Sequence, residues 1–319
     1  MKSKKSLWLA LALLLWGCHK EEIPVPKHDT GDATEVQIAM GSDYKNQLFY
    51  NLENNVIISS NDKIDWDLAF ESSATGAHII LNSSRGMAVH RSLQAFNALT
   101  DHSGLSWNWD APSGDLDSTA IGDWENDQLL YVIDMGYNAD GLHQGYIKMK
   151  PVSVSANTYM IEYGDIADLS PQTISVTKNT NNLFSYFKFG TGNVTIAPSN
   201  ESWDLLFTQY THLFYDPDEA YVVTGVLLNR YNTAATRIMD KPFETVTYDD
   251  IAALTFSSDI NYIGYDWKYF DFANSIYTVD PTITYIVQTS SGYYYKLHFI
   301  DFYNTQGEKG YPKLEVQQM

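Results

Sequence analysis

The chain of 319 residues contains a single cysteine, Cys18. An intrachain disulfide and a cysteine-built metal site are therefore both excluded. Basic residues are scarce: 20 Lys and Arg stand against 39 Asp and Glu, for a formal charge of −19. A surface of that sign repels a phosphate backbone, which argues against nucleic acid as a partner. The apolar run from Leu7 to Trp16 is ten residues long, half of the about 20 that a helix needs to cross a bilayer. No His-Glu-x-x-His, Gly-x-Ser-x-Gly or Gly-x-x-x-x-Gly-Lys stretch occurs, so metalloprotease, α/β-hydrolase and nucleotide-hydrolase readings have no local support and the chain reads as a non-enzyme.

Aromatic residues make up 14% of the chain, with 23 tyrosines, and hydrophobic residues 44%. That composition is neither disordered nor membrane-spanning, and Tyr with many Thr, Val and Ile favours strands. An all-β fold with few short helices is expected. The length allows two domains with separate cores or one very large β domain.

Residues 1–17 read as an export signal: Lys2, Lys4 and Lys5, the apolar run, then Gly17 before Cys18. Leu15-Trp16-Gly17-Cys18 resembles the bacterial lipobox, which makes Cys18 the expected lipidation site, with Trp16 an unusual occupant of its position. The alternative is a free thiol after a plain signal peptide. His19-Lys20-Glu21-Glu22 looks like the export signal of surface lipoproteins on Bacteroidota-type outer membranes. Residues 18–36, broken by Pro24, Pro26 and Gly31, read as a tether in which His19 and His28 are solvated. The expected location is the outer membrane, lipid-anchored and facing outward.

The body repeats itself. Trp66-Asp67-Leu68-Ala69-Phe70 recurs as Trp203-Asp204-Leu205-Leu206-Phe207, each after a β-patterned segment, Asn55–Ile58 or Asn193–Ile196. Ile80-Leu81-Asn82 matches Leu227-Leu228-Asn229, and Phe96 to Leu99 matches Phe243 to Val246, both 147 positions on. Tyr131-Val132-Ile133 matches Tyr285-Ile286-Val287, and Tyr146-Ile147-Lys148-Met149 matches Tyr294-Tyr295-Lys296-Leu297. Two tandem β modules are expected, 37–170 and 171–319, joined near 164–181 by a junction with some freedom. Each Trp reads as a core anchor and each Asp as a turn or hydrogen-bonding residue. A hairpin is predicted at Ser290-Ser291-Gly292 between strands over Thr282–Thr289 and Tyr293–Ile300, with a last strand around Lys313–Val316. In the first module the same reversal uses the longer loop Asp134–Gly145. A short helix is expected over Tyr248–Leu254, with Thr247 as its N-cap.

The Trp-Asp-Leu-x-Phe motifs, the strand ending in Leu-Asn, the stretch Tyr285–Phe299 and Gly307-Glu308-Lys309-Gly310-Tyr311 together resemble the HmuY family of haem-binding surface lipoproteins. The resemblance runs from about Gln37 onward. It implies a hand-like β fold that grips haem, axial His or Met ligands between the Trp-Asp motif and the closing hairpin, and delivery to a TonB-dependent transporter. Host haemoproteins are a further partner it implies. In the first module that interval holds His78, Met87, His90, His102 and Met135, with Trp107, Trp109 and Trp124 as porphyrin walls; in the second it holds His212 and Met239, with Tyr262, Tyr265 and Trp267. His102, in a polar loop before two tryptophans, and Met239, at the corresponding place in the second module, lead the haem-axial candidates, followed by His90 and His212. No pair of family ligand histidines stands out.

Two acidic loops, Asp110–Asp117 and Asp216-Pro217-Asp218-Glu219, lack the spacing of a Ca²⁺ loop and read as turns. The competing function class is glycan binding, since Trp107 and Trp109 would share one face of a strand. A scaffold or adhesin without a small ligand is the third.

Overall fold

The computed structural model describes residues 31–319. The expected signal peptide, the expected lipidation site Cys18 and residues 18–30 of the expected tether lie outside them. In chain order the strands are β1 (Thr34–Gln37), β2 (Asn46–Asn51), β3 (Val56–Asp62), β4 (Leu68–Glu71), β5 (Ile79–Leu81), β6 (Ala88–Ser92), β7 (Leu130–Asp134), β8 (Tyr146–Val154), β9 (Thr158–Asp165) and β10 (Gln172–Thr177). There follow β11 (Phe184–Lys188), β12 (Gly192–Val194), β13 (Leu205–Tyr215), β14 (Asp218–Leu228), β15 (Ala234–Ile238), β16 (Lys268–Asp271), β17 (Ile276–Val279), β18 (Thr284–Gln288), β19 (Tyr294–Tyr303) and β20 (Lys309–Gln318). The α-helix among the described residues is one turn, Trp124–Asp127. Tyr248–Ala253 forms a 3₁₀ helix after Thr247, whose backbone N–H donates to Asp250 at 2.7 Å. The fold is all-β, as the composition leads one to expect.

Two five-stranded antiparallel sheets, β10-β9-β8-β7-β6 and β1-β20-β19-β18-β15, sit outside two four-stranded ones, β12-β11-β4-β5 and β14-β13-β2-β3. Period-2 alternation on the inner strands explains the stacking. On β4, Leu68 and Phe70 join a core with Tyr131, Met149 and Tyr159 of the first five-stranded sheet. On β13, Leu205 and Phe207 join a core with Tyr285, Leu297 and Phe299 of the other. The intervening residues Ala69, Phe49, Phe184 and Leu206 form a third core, with Trp66 and Trp203, between the four-stranded sheets. Strands buried on both faces read as continuous apolar runs, as in Leu48-Phe49-Tyr50.

Hairpins are exchanged between the halves. The hairpin β2–β3, which precedes Trp66 in sequence, pairs with β13 beyond Trp203, through Leu205↔Tyr50, Leu206↔Phe49 and Phe207↔Leu48. Reciprocally, β11 of the hairpin preceding Trp203 pairs with β4, through Phe184↔Glu71 to Phe187↔Leu68. β1 also crosses over, to β20, so the last residues of the expected tether belong to a sheet. A division at 170/171 therefore separates strands that are hydrogen-bonded to one another. The flexible junction expected over 164–181 is instead part of the hairpin β9–β10, in register from Gln172↔Tyr163 to Thr177↔Thr158. Its Ser, Thr and Asn residues are edge-strand residues of a sheet, which composition alone does not distinguish from a linker.

Matched sequence landmarks hold matched hydrogen bonds. Asp67 accepts the backbone N–H of Phe189 at 2.8 Å and Asp204 that of Leu52 at 2.8 Å, each from the exchanged hairpin. The Asn82 amide donates to the carbonyls of Lys63 and Trp66, and the Asn229 amide to those of Asn200 and Trp203. Lys148 and Lys296, buried in their sheets, each reach two matched loop carbonyls, Phe96 and Leu99 at 2.7 and 2.9 Å, and Phe243 and Val246 at 2.8 and 2.9 Å, and Lys148 also reaches that of Asp168 at 2.6 Å. Each ammonium also lies over a ring, Phe96 at 4.2 Å or Phe243 at 4.6 Å. Charge-assisted bonds of this kind contribute about 1.5–3 kcal/mol each and fasten the loop carrying the site to the sheet beneath it.

Candidate functional site

Of the expected haem-axial residues, Met87 and Met135 are buried in the first core, where their sulfurs pack against apolar side chains. Trp124 is buried too and donates its indole N–H to Ala77. Trp267 stacks on Phe299 at 3.9 Å within the second core. These four are structural. His78 is held by Glu71, with Nδ1 2.6 Å from the carboxylate; its imidazole helps keep Glu71 ionised below the usual carboxylate range against the opposing effect of burial.

Of the remaining first-half candidates, His102 and Trp107 meet at Tyr146, the first residue of β8. The imidazole of His102 stacks on the Tyr146 ring at 3.9 Å, nearly parallel, and Trp107 lies 5.8 Å from it at 24°. Residues 101–109 reach this position because Asn108 pairs with Val89 of β6 through two backbone bonds. Lys148, one step along the same face of β8 from Tyr146, fastens the preceding segment at Phe96 and Leu99. The His90 ring, on β6, lies with Nδ1 3.0 Å from the Ser106 carbonyl of the same loop. A carbonyl can only accept, so Nδ1 carries a proton, and it is in the neutral ring that Nε2 presents the lone pair with which imidazole ligates a metal. His102 is exposed, and its ring nitrogens make no hydrogen bond among the described residues.

His143 was not among the expected residues, yet its ring lies 4.9 Å from Tyr146 and 5.2 Å from Tyr137. It sits in the loop Asp134–Gly145, and its signal in sequence is that loop's position over the start of β8. Nδ1 accepts from the Gly145 N–H at 3.2 Å, so Nε2 donates to Asp134 at 2.8 Å. Both nitrogens are thereby engaged, which makes His143 a wall rather than a ligand. Burial, with Asp134 and Tyr137 nearby, pushes the Tyr146 phenol up, so it stays protonated. Trp109 is half-buried like Trp107, and the two do not form an exposed pair.

In the second half, His212 on β13 sits between Phe214 at 4.8 Å and Tyr265 at 5.0 Å, and burial pushes its pKa down, favouring the neutral ring. Its buried Nδ1 has no partner among the described residues. The cleft it lines with Tyr262, Tyr265 and Arg237 is about 250 Å³, below the about 300–1,000 Å³ of ordinary ligand sites. Met239 is half exposed just beyond β15, 50% accessible. Of the four leading candidates, His90 and His102 are thus both tied to the segment 101–109, while His212 and Met239 stand apart from it.

Among the described residues no helix is long and apolar enough to cross a membrane, and no group of three or more His, Cys, Asp or Glu side chains is placed to hold a metal ion. A haem needs less than such a group: one or two axial side chains and apolar walls.

The family model for HmuY protein matches residues 43–316. Solved structures similar to this chain include apo PinO from Porphyromonas gingivitis, 9% identical over 91% of this chain and 98% of that one, with a TM-score of 0.28. A protein of Bacteroides vulgatus described as an HmuY-like heme binding protein is 10% identical, covering 89% of this chain and 90% of its own, with a TM-score of 0.24. The apo HmuY analogue of Tannerella forsythia is 11% identical, covering 92% and 99%, at 0.27. No curated protein matches the chain.

Proposed function

Because the chain belongs to the HmuY family, we propose that it is a haem-binding surface lipoprotein whose first half presents the iron ligands. The observation that carries this reading is that His90 and His102 both belong to or touch the segment 101–109, His90 through Nδ1 to the Ser106 carbonyl and His102, whose ring nitrogens have no polar partner among the described residues, stacked on Tyr146 next to Trp107. The haem iron would take its axial nitrogens from these side chains, and the rings would shield the porphyrin face. Lys148 and the Asn108–Val89 bridge hold the loop in place, so little ordering is left to do on binding.

Anchoring belongs to the same proposal. Acyl chains on Cys18 would hold the body at the outer face of the outer membrane, since two or more chains give stable attachment where one gives marginal binding. There it would take haem from host haemoproteins and pass it to a TonB-dependent transporter. The test is a haemin titration of residues 28–319 followed by visible absorption in both iron redox states. A saturable Soret shift that weakens in H90A and H102A is expected. Absence of a shift in either redox state would overturn haem capture and leave the glycan-binding or scaffold reading of the same fold.

A further inference from the structure

The third core is incomplete. Between the two four-stranded sheets, walled by Trp66, Phe184, Tyr186, Trp203 and Leu206, lies a cavity of about 130 Å³. An engineered apolar cavity of about 150 Å³ takes up one benzene molecule, so this space fits a single six-membered ring. Past Asn182, Phe184 and Ile260 it continues into a more polar cleft of about 740 Å³ bordered by Ser113 and Asp115. A ligand with a ring inside and a polar group outside would match both volumes.

Arg230 stands where the two spaces meet and lines each. Its guanidinium lies over the Phe184 ring, 5.6 Å from the centroid, and donates Nη1 to the Gly114 carbonyl. It forms no ion pair among the described residues. The acidic groups whose charge acts on it are Asp110 and Asp115. The Asp110 carboxylate is occupied, accepting the N–H groups of Leu81 at 2.7 Å and Ala120 at 2.8 Å, and burial pushes it up to about 6. The Asp115 carboxylate accepts from Asp117 and Ser118 of its own turn. Nε and Nη2 of Arg230 are thus without partners among the described residues, and the Tyr186 hydroxyl in the cavity wall, its pKa pushed up to about 12 by burial, is a donor that makes no hydrogen bond among them. Arg230 is half-buried, so its open N–H groups can be reached from the cleft, and a guanidinium with two open N–H directions suits a carboxylate.

We propose that this cavity between the exchanged hairpins binds a monocyclic aromatic carboxylate, its ring among Trp66, Tyr186 and Trp203 and its carboxylate on Arg230. The site is separate from the His90 and His102 edge and does not depend on haem binding. The walls report on it directly, because Trp66 and Trp203 fluoresce.

Phenylacetate and its neutral isostere phenylacetamide are titrated against the protein by tryptophan fluorescence and calorimetry. Saturable one-to-one binding is expected for phenylacetate, about tenfold or more tighter than for the amide, the size of one charge-assisted hydrogen bond. R230M should remove that preference while keeping the fold, and A197F, which fills the cavity from its wall, should abolish binding of both. No saturable signal for phenylacetate in the native protein, equal affinity for the two probes, or an unchanged preference in R230M would overturn the proposal. If R230M does not fold, the preference of the native protein between the two probes decides on its own.

Discussion

Tyr146 and Tyr294 open corresponding strands, each two residues before a buried lysine that fastens a loop. The surroundings of the two rings differ in kind. Tyr146 carries His102, Trp107 and His143, whereas Tyr294 carries Tyr248 and Phe256, at 5.9 and 5.7 Å. Around these two matched rings the scaffold thus bears imidazole nitrogen in one half and only aromatic packing in the other. Function resides in the grafted side chains, and the lysine staple is the shared part.

The buried aspartates differ as well. Asp67 pairs with the buried Arg85, which also donates to the Met135 carbonyl at 2.6 Å. Three residues beyond Asn229, where Arg85 follows Asn82, stands Asn232, and Asp204 forms no ion pair among the described residues. Burial, with Glu53 adding to it, pushes Asp204 up to about 6. One half neutralises its aspartate with a guanidinium and the other keeps it near the edge of protonation.

The largest effect should come from undoing the exchange. Expressed separately, residues 31–170 lack the β10–β12 partners and residues 171–319 lack β1–β3, so neither should show a cooperative thermal transition, and mixing the two should restore one. Two independently folding halves would contradict the exchanged pairing.

Next in size, D67N or R85M should cost about 3–5 kcal/mol in urea denaturation at pH 7, because each leaves a buried charge or its partner unmatched. D204N should cost under about 1 kcal/mol there, or stabilise, since the folded state already holds this carboxylate with difficulty. Equal losses in the two halves would erase the distinction.

That contrast has a pH signature. A carboxyl whose folded pKa exceeds its unfolded value of about 3.9 binds its proton more tightly when folded, so stability falls as pH rises between roughly 4 and 6. Asp204 and Asp110 both contribute in this sense. D204N should flatten the fall in stability measured by urea denaturation from pH 4 to 7, by up to about 1.4 kcal/mol per pH unit between roughly 4 and 6. A slope unchanged by D204N would place the effect elsewhere.

Smaller still, K148M and K296M should each lower stability by about 1–3 kcal/mol through unsatisfied loop carbonyls, but only K148M should also loosen the His102 loop, seen as faster amide exchange over 101–109. Equal exchange in both variants would break the link between staple and site.

The all-β class, the hairpin at Ser290-Ser291-Gly292 and the paired Trp-Asp motifs were legible because alternation and turn residues are local signals. Trp66 does anchor the third core and Asp67 and Asp204 do bind backbone. Which hairpin pairs with which strand was not legible: the alternation of β2–β3 suits either β4 or β13, and long-range contacts such as Phe49 against Trp203, at 4.9 Å, and the Leu52 N–H on Asp204 distinguish them. The burial of Lys148 and Lys296 was not legible, because a charged residue on a strand is ordinarily exposed. The Tyr146 cluster could be named only in part, since His143 joins it through a loop closure that spans no motif.

The most direct measurement is the haemin titration carried out on two paired variants, H90A/H102A and H212A/M239A, beside the native protein. The account predicts a saturable Soret shift that survives in H212A/M239A and is lost in H90A/H102A. A shift that persists in H90A/H102A, or that disappears only in H212A/M239A, would contradict placing the haem ligands in the first half.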